Sequence, residues 1–258
     1  MALIKKFRIK KFKETEEILK LDKISMFYNK RQILNSLDLI INKQEILGML
    51  GPNGVGKSTI FHIITGLKDP SYGRVLINGN DCTRIPIYER ATKFKLGYVP
   101  QYGGFIQDLS LVENLNLVAE IHIKDKNLRI TKIEKIISQF EFDPLLKIKA
   151  KHLSGGQKKK LVISMALIND PNILLLDEPF AALDILTIKM LQEIIVNLQS
   201  LDRITVVVCD HQARDLLSCV DRAIVLSNGK IIASGSPDEI VKDSSARSAY
   251  FGEEFQIK

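Results

Sequence analysis

The chain has 258 residues, of which 45 % are hydrophobic and 26 % charged, with 15 Gly, 8 Pro and a formal net charge of +7. That length suits one large domain or two small ones with a sizeable core, and the balance excludes disordered, collagen-like and low-complexity classes for the bulk of the chain. The longest apolar runs, residues 173–176 and 204–209, fall far below the roughly 18 residues of a membrane-spanning helix.

In chain order, Lys5, Lys6, Arg8, Lys10, Lys11 and Lys13 precede Glu14 without the apolar stretch of a secretion signal, so residues 1–18 read as a solvated basic arm. The modest basic excess by itself would suit a nucleic-acid or anionic-membrane partner, and such an excess often just reflects genomic composition. From Leu21, short apolar runs at residues 24–28, 37–41 and 46–50 predict strands of a small sheet that opens the domain. Helical spacing follows at Ile60, Ile63, Ile64 and Leu67, with Gly66 and residues 69–73 as the stop. Between residues 111 and 167 the spacing is again helical (Leu111, Leu115, Val118, Ile121, then Ile133, Ile136, Ile137, Phe140), with Pro144 as a breaker. It predicts an inserted helical subdomain over about 103–168. Residues 173–176 and 204–209 read as strands covered on both faces, as in a parallel sheet, joined by a helix over about 186–198. Asn228-Gly229 predicts a hairpin between residues 223–226 and 231–233 that closes the sheet. Cys82, Cys209 and Cys219 form an odd set without a CxxC pair, so neither a disulfide framework nor a zinc site is expected. Cys209 and Cys219 read as core residues in a reducing compartment.

The chemistry is concentrated in a few motifs. Gly51-Pro52-Asn53-Gly54-Val55-Gly56-Lys57-Ser58 matches GxxxxGK[ST] in full, between a predicted strand and a predicted helix. Glycines let successive N–H groups turn toward a phosphate while the helix N-terminus faces the same point. Lys57 is expected to reach the β/γ-phosphates and Ser58 to ligate Mg²⁺, with Thr59 beside them in the binding set. Downstream, residues 174–178 place Asp177 and Glu178 at the C-terminal end of a buried strand, where open α/β sheets hold ligands. Asp177 is expected to hold Mg²⁺ and Glu178 to polarise the attacking water, the two roles phosphoryl transfer needs beside a phosphate cradle. Lys158, Lys159 and Lys160 read as a solvated helix face.

Leu153-Ser154-Gly155-Gly156-Gln157 resembles the signature motif of ATP-binding cassette (ABC) ATPases, and the family's other motifs follow in order over residues 19–240. Gln101 after Tyr98-Val99-Pro100 is similar to the Q-loop, Ala182-Leu183-Asp184 to the D-loop and His211 to the switch histidine, while Tyr28 stands where the family sets an aromatic against adenine. The resemblance implies an α/β P-loop NTPase fold of ABC type, with a mainly parallel central sheet, a small antiparallel β subdomain and the inserted helical subdomain, followed by a tail at 241–258. It implies ATP and Mg²⁺, with Ser58, Gln101 and Asp177 around the metal. It also implies that Ser154, Gly155, Gly156 and Gln157 grip ATP held by a second subunit, and that Glu178, His211 and Lys57 are catalytic. The implied assembly is a head-to-tail homodimer on two integral-membrane permease subunits, peripheral to the cytoplasmic face of the inner membrane, with no nucleic acid.

At finer grain, residues 177–184, 210–215 and 249–255 resemble the ATPase subunits of bacterial lipopolysaccharide export systems, and cassettes for branched-chain amino-acid uptake share much of the pattern. The chain departs from the export pattern at residues 105–108, where a basic pair is usual, at Ile185, where proline is usual, and in its basic arm. Cassette ATPases that act on ribosomes or DNA usually carry two cassettes or a long coiled-coil insertion, and P-loop kinases and GTPases lack the signature. Phe105, Ile106 and Leu109, after Gln101, are expected to form an exposed groove for a short permease helix.

Overall fold

The computed structural model describes residues 16–252 and 255, so residues 1–15 of the expected basic arm lie outside the described residues. Strand β1 (Glu17–Tyr28) begins inside that arm, and Ile18 is buried. It pairs antiparallel with β2 (Arg31–Asn42) and β4 (Tyr72–Ile77), and with β5 (Asn80–Asp81) these form a four-stranded sheet in the order β2-β1-β4-β5.

A six-stranded sheet forms the centre. Its strands are β3 (Ile46–Leu50), β6 (Leu96–Val99), β7 (Ile173–Asp177), β8 (Thr205–Cys209), β9 (Arg222–Ser227) and β10 (Lys230–Gly235), in the order β10-β9-β3-β8-β7-β6. All neighbours are parallel except the β9–β10 hairpin, which turns at Asn228-Gly229 as expected. The expectation that residues 46–50 belong to the small opening sheet is corrected, because β3 lies between β9 and β8. All five of its residues are buried, and a strand with no polar face is stable only where both faces are covered.

Alternation along these strands divides the apolar interior into two cores. Leu47, Met49, Ile173, Leu175 and Val207 face the core shared with the small sheet and helix α1 (Lys57–Thr65). Ile46, Leu50, Leu174, Leu176, Val206 and Val208 face the other core. The helices α3 (Leu111–His122), α4 (Lys126–Phe140), α5 (Gly155–Ala166) and α6 (Ile185–Ser200) fill that second side, as the helical spacing predicts. Each starts on a capping side chain: Ser110 and Ser154 in capping boxes, Asp125 and Asp184 accepting from the first turn. Pro144 lies in the short 3₁₀ turn Asp143–Leu145 that follows α4.

Helix α7 (Ala213–Leu217) follows the sheet's β8, and α8 (Pro237–Lys242) runs across the boundary at which the tail was expected. The described part of that tail is packed: Tyr250, Phe251 and Phe255 rest on the second core, and Arg214 lies over the Phe255 ring at 5.6 Å.

Helix α2 (Ile87–Lys93) supplies Arg90, which is fully buried. Its guanidinium donates to the carbonyls of Ile63 and Ile64 at 2.6 and 2.8 Å, of Thr83 at 2.9 Å and of Ile85 at 2.7 Å. The first two belong to the last turn of α1, whose carbonyls lack intrahelical partners and carry the negative end of the helix dipole. Burial lowers the Arg90 pKa, opposed by Cys82, Asp69 and Asp81. Arg90→Met leaves three acceptors without a donor, the carbonyls of Ile64, Thr83 and Ile85, while that of Ile63 keeps the Gly66 amide at 3.3 Å. At about 1–3 kcal/mol per unsatisfied group the loss should reach at least about 3 kcal/mol. At about 2–4 °C per kcal/mol for a chain of this size, Tm should fall by roughly 6–12 °C in scanning calorimetry. A Tm within about 2 °C of the parent would show that the guanidinium is dispensable.

Candidate functional site

The loop from β3 to α1 carries three positive-φ glycines, Gly51 (147°), Gly54 (76°) and Gly56 (112°). Glycine is required at Gly51 by space as well as by φ, since a Cβ there would stand 2.5 Å from the Leu226 carbonyl oxygen, and at Gly56 by φ. Gly56 caps α1 without a side-chain hydrogen bond, so the helix N-terminus faces the loop with its dipole uncovered. Lys57 folds back on the loop, its Nζ donating to the carbonyls of Gly51 at 2.7 Å and Pro52 at 3.1 Å, and the Val55 amide donates to Pro52 at 3.4 Å.

A cleft of about 440 Å³ opens over this loop. Asn53, Gly54 and Gly56 line it from the loop, and Lys57, Ser58 and Thr59 from α1. Tyr28 and Ile33 line it from the small sheet, while Gln101 and Glu178 close it. Tyr28 is partly exposed, with the Lys68 ammonium 5.1 Å from its ring centroid. A second recess, of about 280 Å³, lies at the opposite ends of β7 and β8 beside Lys132 and Asp202, away from the glycine loop.

Asp177 ends β7 and is 4 % exposed. Its carboxylate accepts from the Cys209 thiol at 2.8 Å, the Ser58 hydroxyl at 3.4 Å and the Tyr98 hydroxyl at 3.4 Å. Burial, then Asp177 itself, pushes the pKa values of Cys209 and Tyr98 upward, so both stay protonated donors. Cys209 is the core residue expected, and its thiol in addition serves as a donor to Asp177. Cys219 is likewise a buried core cysteine, its thiol donating to the Leu216 carbonyl at 3.4 Å.

Glu178 sits at φ 45°, an uncommon conformation for a residue with a side chain. Its amide donates to the Cys209 carbonyl at 2.8 Å, and its carboxylate Oε2 accepts from Gln101 Nε2 at 2.6 Å. His211 Nδ1 lies 3.5 Å from the same oxygen and 3.7 Å from Asp210 Oδ1. Asp210 is fully buried and accepts from the Phe180 and Gln212 amides, both at 2.9 Å, which shapes the turn that presents His211. The Tyr250 hydroxyl donates to the His211 carbonyl at 2.9 Å, and burial pushes its pKa up to about 12. The structure thus brings Gln101, Glu178 and His211 to one point at the mouth of the cleft over the glycine loop.

It does not bring the signature residues there. Ser154, Gly155, Gly156 and Gln157 open α5 away from the cleft lining. The Ser154 hydroxyl accepts from the Gln157 amide at 3.2 Å, and the Gln157 side chain accepts from the Ser154 amide at 2.8 Å. Gly156 is needed for packing, since a Cβ there would stand 2.5 Å from Thr187 Cγ2 on the first turn of α6. Ser154 and Gly155 are exposed, so the chain presents this helix N-terminus outward.

Two further expectations are corrected. Of the three apolar residues expected to be exposed, only Ile106 is, at 49 %; Phe105 packs partly buried against the second core and Leu109 is half-buried. The Lys158–Lys160 run is not a uniformly solvated face, because Lys159 is half-buried and donates to the carbonyls of Gln101 at 2.9 Å and Glu178 at 3.3 Å. Tyr98, Cys209 and Lys159 were missed as contributors. Tyr98 and Cys209 lie on strands flanking β7, a position that only the strand order reveals.

Comparison with known proteins agrees with this geometry. A family model described as ABC transporter matches residues 34–181, and one described as Branched-chain amino acid ATP-binding cassette transporter matches residues 230–256. The lipopolysaccharide export system ATP-binding protein LptB of Haemophilus influenzae is 34 % identical over 242 residues, covering 93 % of this chain and 99 % of that protein. Among solved structures, MJ1267, an ATP-binding cassette of an ABC transporter, matches with a TM-score of 0.83 at 26 % identity over 92 % of this chain and 100 % of its own. The dimeric cassette MJ0796 bound to ADP and Pi matches at 0.75 and 28 % identity over 85 % and 99 %. A phosphate cleft with clustered carboxylates, in a chain alike over nearly its whole length to such cassettes, has one explanation: the chain belongs to the ATP-binding family of ABC transporters and is an ATP hydrolase.

Proposed function

We propose that this ATPase energises extraction of lipopolysaccharide from the inner membrane and its export to the outer membrane, working as a homodimer on two integral-membrane permease subunits at the cytoplasmic face. The observation that carries the substrate assignment is the likeness to the export-system protein along 93 % of the chain. A second reading, branched-chain amino-acid uptake, is favoured by the match over residues 230–256. No helix among the described residues is long and apolar enough to cross a membrane.

In the proposed mechanism the glycine loop and the α1 N-terminus cradle the nucleotide phosphates, and Lys57 exchanges the Gly51 and Pro52 carbonyls for phosphate oxygens. Tyr28 is assigned to the adenine. The donor set fits Mg²⁺: a hydroxyl and a carboxylate, Ser58 and Asp177, already lie 3.4 Å apart, and hard oxygen donors are what this ion takes. Gln101 is the third proposed ligand. Bound Mg²⁺ would neutralise charge on the β and γ phosphates. Glu178 accepts a proton from the attacking water once Gln101 releases its Oε2, and His211 holds that water and the γ-phosphate in line. Residues 154–157, turned outward, grip the nucleotide of the second subunit through free N–H groups at the α5 N-terminus.

Lys57→Ala should weaken ATP binding by one to two decades, the worth of a charge-assisted hydrogen bond of about 1.5–3 kcal/mol, and abolish turnover. Equilibrium binding and a phosphate-release assay read both quantities, and near-normal hydrolysis would remove Lys57 from the site. Glu178→Gln should keep ATP affinity while stopping hydrolysis, because the amide retains shape and loses the base. ATP should then trap a dimer in size-exclusion chromatography, whereas a variant that hydrolyses normally defeats the role given to Glu178. For the substrate, depletion of the chain should strand lipopolysaccharide at the inner membrane. Normal lipopolysaccharide delivery with lost leucine import would instead establish the uptake reading.

A further inference from the structure

We propose that Lys159 is a positioning residue that ties the signature helix to the hydrolytic pair Gln101–Glu178 of its own chain, and so couples the two nucleotide sites of the dimer. Lys159 is the fifth residue of α5, just beyond the turn formed by Gly155, Gly156 and Gln157. Its ammonium crosses to the Gln101 carbonyl at 2.9 Å and the Glu178 carbonyl at 3.3 Å. The side chains of those two residues are joined to each other at 2.6 Å, so one cation holds the main chains of both partners. Burial lowers the Lys159 pKa, while Asp210, Asp177 and Glu178 raise it, and the ammonium is thus the counter-charge at the back of the acidic cluster.

The main-chain tether has particular force at Glu178. A residue with a side chain at φ 45° holds that conformation only where its surroundings over-determine it. Three main-chain contacts do so: the Glu178 amide on the Cys209 carbonyl, the Lys159 ammonium on the Glu178 carbonyl, and the Ala181 amide on that same carbonyl at 3.4 Å. The first comes from the neighbouring strand and is fixed by the sheet. The second comes from α5, whose N-terminus is anchored by a complete capping box and by the close approach of Gly156 to Thr187, where a Cβ would stand 2.5 Å from Thr187 Cγ2. A displacement of that N-terminus is therefore carried to Lys159, which lies within about one helical turn, 5.4 Å of rise.

Coupling of the two sites rests on the head-to-tail dimer proposed above. There, residues 154–157 act on the partner's nucleotide and Glu178 on the chain's own. Gripping the partner's ATP then biases the Gln101–Glu178 geometry through Lys159, and by linkage the state of that pair biases the grip.

The test uses the full chain and ATP turnover as a function of ATP concentration. Lys159→Met keeps the stem and removes the ammonium; kcat should fall about tenfold or more while KM stays within about twofold. Lys159→Arg, which can still donate to two carbonyls, should restore most of kcat. The Hill coefficient should exceed 1 in the parent and fall to 1 in Lys159→Met. An unchanged kcat overturns the positioning role, as does a fall matched by rising KM or not rescued by Lys159→Arg, and an unchanged Hill coefficient overturns the coupling. ATP-dependent dimerisation of Glu178→Gln, alone and combined with Lys159→Met, separates this inference from its premise. Dimers in both with normal Lys159→Met turnover sink only the role of Lys159, whereas no dimer in Glu178→Gln itself sinks the head-to-tail dimer and the coupling with it. Should Lys159→Met fail to fold, Lys159→Gln takes its place under the same criteria.

Discussion

The carboxylate of Asp177 is the constraint around which the molecule is organised. A buried charge must be surrounded by donors, because removing it from water without compensation costs several kcal/mol. Here the donors come from three different elements: Ser58 from α1, Tyr98 from β6 and Cys209 from β8. Satisfying one carboxylate thus aligns the phosphate-loop helix, the strand that leads into Gln101 and the strand that leads into His211. The acid one residue later, Glu178, then emerges at the mouth of the cleft with Gln101 and His211 on its carboxylate.

The double-sided sheet makes that arrangement possible. Strands whose residues alternate between two apolar cores can be covered on both faces, which leaves only their ends for chemistry. The same division sends α1 and the small sheet to one face and the signature helix to the other. Arg90 secures the far end of α1 through its last carbonyls, so both ends of that helix are satisfied: the C-terminus by a buried cation and the N-terminus, in the proposed mechanism, by nucleotide phosphates.

Residues 154–157 form a helix N-terminus of the kind that binds anions, yet they are not among the residues lining the chain's own cleft. Such a surface is complete only against a ligand held elsewhere, which is the physical content of the proposed head-to-tail pairing. Lys159 gives that outward-facing end an inward connection. The carboxy-terminal aromatics add a different one, because Tyr250 holds the carbonyl of His211 while Phe255 stacks on Phe251 and meets Arg214 of the adjoining helix.

Features set by neighbours along the chain were legible in the sequence. The glycine loop, the acidic pair closing an apolar run, the signature residues and the Asn228-Gly229 turn each rest on local spacing. All took the expected local form, as did the helical character of residues 111–167. What the sequence could not determine was which distant segments lie side by side. Placing β3 in the central sheet, Cys209 and Tyr98 on either side of Asp177, and Phe105 against a core required the strand order β3-β8-β7-β6 and the seating of the helices on it. Lys159 shows the same limit: three consecutive lysines look alike along the chain, and only the packing of α5 over the ends of β6 and β7 decides which one meets the two partly buried carbonyls. That selection is tertiary because burial and hydrogen-bond satisfaction belong to the assembled interior, where residues 19 and 58 positions away from Lys159 become its partners.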